Sequence, residues 1–218
     1  MTSALLLLAD GRFPAGGHAH SSGLEAAVAA GRVRGVADLE SFLRGRLATA
    51  GLVAASFAAA AHSRTSLDLL DAELDARTAS PALRLASRRQ GRALLRAGRA
   101  VWPSPVFAHV PAHPDGCHQP IAFGLVTAAA GGSAADAAVG AAYTVLTGPA
   151  SAAVRLLGLD PYQAQAVLAR LAGTCDAVAR SAVVAASGPA ADLPAAGAPL
   201  SDIHAEIHAT WEVRLFAS

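Results

Sequence analysis

The sequence predicts an all-α fold, a single-domain, alanine-rich bundle of roughly eight to ten helices. Three observations carry that expectation. Apolar residues make up 53% of the chain and aromatic residues only 5%, so the apolar content is mostly alanine and leucine, which lose little side-chain freedom in a helix. Apolar residues recur three and four apart over long stretches, with no alternating strand pattern of useful length and no internal repeat. At 218 residues, the chain fits one domain able to bury roughly 70% of the surface its unfolded form exposes.

Each element follows from local signals. "MTSALLLLADGR" has no basic segment before its leucine run, and Asp10 cuts that run too short for a secretory signal, so an opening loop is expected. Ser22 with Glu25 three residues on is a capping-box pattern, predicting a short helix over 22 to about 30 with Gly31 as its stop. Residues 36 to about 63 read as one long helix. Leu39, Phe42, Leu43 and Leu47 repeat at helical spacing, and the segment after them is apolar all round, as in a buried central helix. Residues 66–77 form a short acidic helix, and Ser80-Pro81 opens the basic helix "PALRLASRRQGRALLRAGRAV". Prolines at 103, 105, 111 and 114 make "WPSPVFAHVPAHPDG" a loop. "QPIAFGLVTAAAGG", "SAADAAVGAAYTVLTGPASAAVRLLG" and "DPYQAQAVLARLAGTCDAVARSAVVAAS" are three further helices, the last with Asp160 as N-cap and Pro161 at its first position. Glycines inside these helices point to close helix–helix approach. Residues 1–186 thus form a helical core, 187–199 a flexible Pro/Gly/Ala linker, and 200–218 a C-terminal docking helix with an apolar tip.

Composition excludes several chemistries. All 17 basic residues are arginine, so neither a Walker A lysine nor a Schiff-base lysine exists. A net charge of +1 gives no electrostatic case for nucleic acid or an anionic membrane. Cys117 and Cys175 form no C-x-x-C pair. The apolar stretches at 47–61 and 121–132 fall short of the ~20 residues that span a bilayer. A cytoplasmic protein with reduced thiols is expected.

The candidate sites leave alternatives open. "FPAGGHAHSSGLEAAVAAG" fits neither phosphate-loop motif. His18 and His20 would supply half of a tetrahedral metal site, with only Asp10 and Glu25 nearby, or serve as polar loop or interface residues. "HAEIH" sets His204 and His208 four apart, a chelating spacing, but Glu206 faces away and the zinc-protease motif is not met. His109, His113, Cys117 and His118 are the better set of metal-ligand types, on a proline-rich loop. Arg84, Arg88, Arg92, Arg96 and Arg99 form a stripe with Arg89 beside it, read as a solvated face paired with Asp68, Asp71, Glu73 and Asp75, as a partner surface, or as a nucleic-acid contact. No nucleophile elbow is present. A His/Cys metal-binding protein or a metal-dependent hydrolase therefore stands as one functional class.

Another class comes from a resemblance. Phe13, Pro14, Gly16, Gly17, Ser21, Gly23, Leu24 and Glu25 at one end, and Arg214, Leu215, Phe216 and Ser218 at the other, resemble the terminal motifs of the UreF family of urease accessory proteins. "SRRQGRALL", "HQPIAFG" and "AVRLLGLDPYQAQAVLARL" are similar to its internal helices, so the likeness covers nearly the whole chain. His18 and His20 stand where that family usually has aromatic residues, Ala209 stands where a Glu is usual, and "LGLD" replaces a Pro/Gln turn. The resemblance implies an all-α, homodimeric, non-enzymatic chaperone bridging UreD (also called UreH) and the GTPase UreG. It would assist nickel delivery to apo-urease, with no resident cofactor, no catalytic residue, and no nucleic-acid or membrane partner. The partner-binding residues it implies are Trp211, Arg214, Leu215, Phe216 and Ser218 in the tail, Arg88, Gln90 and Arg92 on the basic helix, and Gly17, His18, His20, Ser21 and Glu25 near the N-terminus.

Overall fold

A computed structural model describes residues 3–64 and 66–218, and among the described residues there is no β-strand. Helices follow in the order α1 Ser3–Ala9, α2 Leu24–Ala29, α3 Val36–Arg46, α4 Leu52–Ser63, α5 Asp68–Ala76, α6 Pro81–Val101, α7 Gln119–Ala129, α8 Ala134–Leu157, α9 Pro161–Ala186 and α10 Pro199–Ala209. The all-α bundle is therefore the observed architecture.

Three local expectations change. The opening segment contains α1, because Leu5 and Leu8, three residues apart on one face, are both buried in the core. The long helix over 36–63 is interrupted by a π turn at Leu47–Gly51, which links α3 and α4. Arg46 heads that turn with its Nε buried and without a hydrogen bond; burial lowers its pKa to about 10, and its guanidinium lies 5.8 Å from the Phe42 ring. The capping box at α2 is not formed. Ser22 sits at φ 55 and Gly23 at φ 88, so the chain enters α2 through a left-handed turn, and Ser21 Oγ accepts the Glu25 N–H at 3.2 Å. The Glu25 carboxylate is thereby released for other work.

Two apolar clusters meet along α4 and α8. One joins α1, α5, α6 and α7 to Phe57 and Ala58 of α4; the other joins α2, α3 and α9 to Ala55 and Ala59 on another face of α4, with Phe216 among its members. That α4 is buried on both faces explains why its sequence is apolar all round. Close approach is real where α7 crosses α4: a Cβ on Gly124 would lie 2.2 Å from the Ala58 carbonyl oxygen, so only glycine fits. By length and composition, α8 is the one helix among the described residues able to cross a membrane, yet more than half of its most apolar stretch is covered by the rest of the bundle.

The segment between α9 and α10 is not a free tether. Arg64 Nη2 donates to the Ala186 carbonyl at 3.2 Å and also to that of Gly188, and Arg77 Nη2 donates to Ala191 and Leu193 at 2.8 and 3.1 Å. Ala190 and Leu193 are buried beneath. α10 then runs back to α6, where the Glu206 carboxylate accepts from the Ala82 N–H at 2.9 Å and from the Ser80 hydroxyl. It caps the positive end of α6 in place of an intrahelical bond.

Candidate partner-docking surface

The tail after α10 is fastened to the N-terminal motif through Glu25. The Glu25 carboxylate accepts the N–H groups of Leu215 at 2.8 Å and Phe216 at 3.1 Å, and its Oε2 lies 2.9 Å from His208 Nε2. Burial alone would raise the Glu25 pKa. Donation from Leu215, His208 and Phe216 outweighs it and holds the carboxyl below the usual glutamate value. Beyond that seat the two ends of the chain pair directly. The Ser218 carbonyl accepts from the Ser21 N–H at 2.7 Å, the Ser22 N–H at 3.1 Å and Ser21 Oγ at 3.0 Å, while the Ala217 N–H donates to Ala19 at 2.7 Å. His20 Nδ1 lies 2.7 Å from Ser218 Oγ. Burial, then the nearby charges of His18 and Arg89, lower the His20 pKa, so its ring stays neutral at pH 7.

This arrangement sorts the residues expected at a docking tip. Phe216 is not a free anchor: it is buried in the core, with the Arg155 guanidinium 4.7 Å from its ring. Ser21 and Glu25 are likewise buried and spend their polar atoms inside the molecule. Trp211 is half-buried, its ring 4.8 Å from that of His208. What faces outward is Leu215, 62% exposed, with Arg214 and, missed in the sequence, Val213 at 87%. Leu200, Ile203 and Ile207 on α10 add exposed apolar surface at helical spacing, a pattern legible in "PLSDIHAEIHA".

The basic helix divides in the same way. Arg88 is not on a solvated face; it is buried, its guanidinium paired with Asp71 at 2.9 Å and Asp75 at 2.8 Å, and donating to the Gly116 carbonyl at 2.8 Å. His118 is fully buried beside it. Ser87 Oγ accepts the Gln119 N–H at 3.2 Å, so its own proton is directed to His118 Nδ1 at 3.0 Å, leaving Nε2–H for Asp75 at 3.0 Å. Burial and the Arg88 charge lower the His118 pKa and keep it neutral. The series Ser87, His118, Asp75 has the connectivity of a hydrolase relay, but here it ties α5 and α6 to the N-terminus of α7, with the imidazole sealed from solvent. The packing is tight: a Cβ on Gly91 would lie 2.0 Å from the Cys117 carbonyl oxygen.

The metal-ligand sets do not assemble. His109 and His113 are exposed on the loop, whereas Cys117 and His118 are buried, and burial, with the charge of Asp71 added, pushes the Cys117 thiol above its ordinary range. His208 is committed to Glu25, and His204 is buried with its pKa lowered by burial and by the charge of Arg32. Among the described residues no group of three or more His, Cys, Asp or Glu is placed to hold one metal ion. Gly17, His18 and His20 from the N-terminal loop and Gln90 from α6 line one cleft of about 910 Å³, which also reaches Ser218. Arg92, next along α6, is directed at the proline-rich loop instead, donating to the Pro114 carbonyl at 3.4 Å.

Comparison with known proteins bears on this surface. The UreF family model matches residues 33–172. The chain belongs to the UreF family. It is 46% identical over 217 residues to the urease accessory protein UreF of Mycobacterium sp. (strain JLS), covering 99% of this chain and 98% of that one. It is 45% identical to the protein of the same name from Mycolicibacterium vanbaalenii, with 99% and 98% covered. The Mycobacterium tuberculosis (strain H37Rv) counterpart is 45% identical over 185 residues, 84% of this chain and 86% of that one. UreF proteins are accessory rather than catalytic, which agrees with a structure whose polar networks are spent on holding helices and the tail in place.

Proposed function

We propose that this UreF family member acts in the cytoplasm as a scaffold of urease maturation, bridging UreD (UreH) and the GTPase UreG while nickel is delivered to apo-urease. The observation that carries the reading is the presented tail. Glu25 fixes the backbone of Leu215 and Phe216, so Val213, Arg214 and Leu215 are held outward beside the apolar face of α10. A preorganised apolar tip binds without the loss of chain freedom that a loose tail incurs. Leu215 and Val213 supply the buried area to UreD, Arg214 the polar contact and Trp211 a neighbouring ring. UreG meets the cleft of Gly17, His18, His20 and Gln90, and reaches Arg92 in the separate groove on α6. The functional unit is a homodimer, and nickel is cargo of the complex rather than a cofactor of this chain.

Co-expression with UreD tests the first contact. L215D and V213D variants should fold normally and lose co-purification with UreD; retention of UreD by both would overturn the tail assignment. For UreG, H18A with Q90A should reduce recruitment to the preformed complex with UreD, and undiminished recruitment would reject the cleft.

A further inference from the structure

Three arginines of α6 behave unlike Arg88. Arg92, Arg96 and Arg99 line a groove of about 840 Å³ between α6 and the loop at 110–117. Arg92 donates to the Pro114 carbonyl at 3.4 Å and Arg99 to the Phe107 carbonyl at 3.5 Å, whereas Arg96 is exposed and donates to no protein group among the described residues. The hydrogen-bond acceptors of these guanidiniums are neutral carbonyls, Arg99 also lies over the uncharged Phe107 ring, and no ion pair joins any of the three to a carboxylate among the described residues. The carbonyls therefore position the guanidiniums without cancelling their charge. Three positive charges stand along eight residues of helix, roughly 10 Å, and an anionic occupant would lower their mutual repulsion beyond what water and salt already screen. The opposite wall is mostly apolar, formed by Val110, Pro111, Ala112 and Pro114 with His113 among them, and Leu95 lies at the base.

We propose that this groove binds an extended acidic segment of a partner protein, with acidic side chains at alternate positions and apolar side chains between them. The inference rests on the reading of Arg92 as a partner contact and gives that contact its chemistry. Successive arginines along the helix lie about 4.5–6 Å apart, close to the roughly 6.6 Å between alternate side chains of an extended chain. Acids placed there would meet the arginines in turn while intervening apolar residues lie against the proline wall. A nucleic acid fits less well. No Phe, Tyr or Trp lines the groove for base stacking and His113 is its single imidazole; the nearby Phe107 is buried with Arg99 over its ring at 5.6 Å, and the net charge is only +1.

The full chain is titrated with a fluorescein-labelled peptide of alternating glutamate and leucine, its glutamine–leucine counterpart and a short oligothymidine, followed by fluorescence anisotropy. The acidic peptide should bind and the glutamine peptide should not. Affinity should fall about tenfold in an R96Q/R99Q variant and fall again as salt rises from about 50 to about 300 mM. R96Q alone removes a side chain without a polar contact in the protein and should move affinity in the same direction with an unchanged helical spectrum. Absence of acidic-peptide binding, equal binding by the variants, or equally tight binding of the oligothymidine overturns the proposal. UreG recruitment by R92Q, scored in parallel, separates the two readings: recruitment that depends on Arg92 without peptide binding rejects the acidic segment alone, and recruitment indifferent to Arg92 rejects the partner contact itself.

Discussion

Glu25 and Arg88 are both buried ions, and they are satisfied in opposite ways. Arg88 is neutralised by two carboxylates on α5 and anchored to the carbonyl of Gly116, so its network joins three segments of the core. Glu25 is held chiefly by two backbone N–H groups of the C-terminal tail, together with His208. Losing the first leaves the buried Asp71 carboxylate without its cation, while the more exposed Asp75 keeps Arg84 at 3.7 Å; losing the second frees a segment that can return to water. One ion therefore sets global stability and the other sets presentation of a surface.

The largest effect should come from R88M, which takes the cation from buried Asp71 while Asp75 keeps Arg84 and His118: a loss of about 3–5 kcal/mol in urea unfolding, with the midpoint shifted and no selective change in the tail. G91A attacks the same region through volume, forcing α6 away from the Cys117 carbonyl, and should destabilise by about 1–3 kcal/mol, read from the thermal midpoint. E25Q should have a smaller and local effect, about 0.5–1.5 kcal/mol for a weakened acceptor. Amide exchange should accelerate at Leu215 and Phe216 while the amides of α4 and α7 stay protected; uniform acceleration would erase the distinction between the two ions.

Acidity separates them further. The His118 pKa is lowered, first by burial and then by Arg88, and that of His20 is lowered too. Below the ordinary histidine value of about 6.5 the unfolded chain takes up protons that the folded chain refuses. Stability should be level above that pH and decline as pH falls below about 6.5, with the slope reduced in H118Q. Glu25 has a lowered carboxyl pKa, so its contribution is complete above about pH 4.3 and is lost only as pH falls through its folded value. Equilibrium unfolding at a series of pH values should therefore show the histidine slope before release of the tail. The smallest effect should be that of L215D, within about 0.5 kcal/mol of wild type, because the Leu215 side chain points outward and only its N–H holds the seat.

Much of the fold was legible in the sequence, because long periodic helices with Pro or Asp at their starts leave few alternatives. The basic helix and the helix after Asp160 fall where their caps place them: Ser80 accepts from Leu83 at 3.1 Å and Asp160 from Tyr162 at 2.9 Å. What escaped was decided by tertiary contact. α1 is too short to announce itself and exists because Leu5 and Leu8 find a core. The pattern of Ser22 and Glu25 reads as a local cap, yet the glutamate reaches across the chain to residues 208, 215 and 216, a pairing that no local spacing encodes. Arg88 looks like its neighbours at 92 and 96 in sequence. Only the carboxylates of α5, packed over one end of α6, make it a core residue and leave its neighbours outside.

The pairing of Ser21 with Ser218 spans 197 residues, and its consequence is kinetic. Contacts so distant along the chain form after the helices they depend on, since closing a long loop is repaid only when both landing places exist. A chain with an incomplete bundle has no seat for its tail and shows its partners no composite surface. Under the proposed docking role, only a finished bundle would offer partners this surface. The fluorescence of Trp211, beside His208, should reach its native value in the slowest refolding phase.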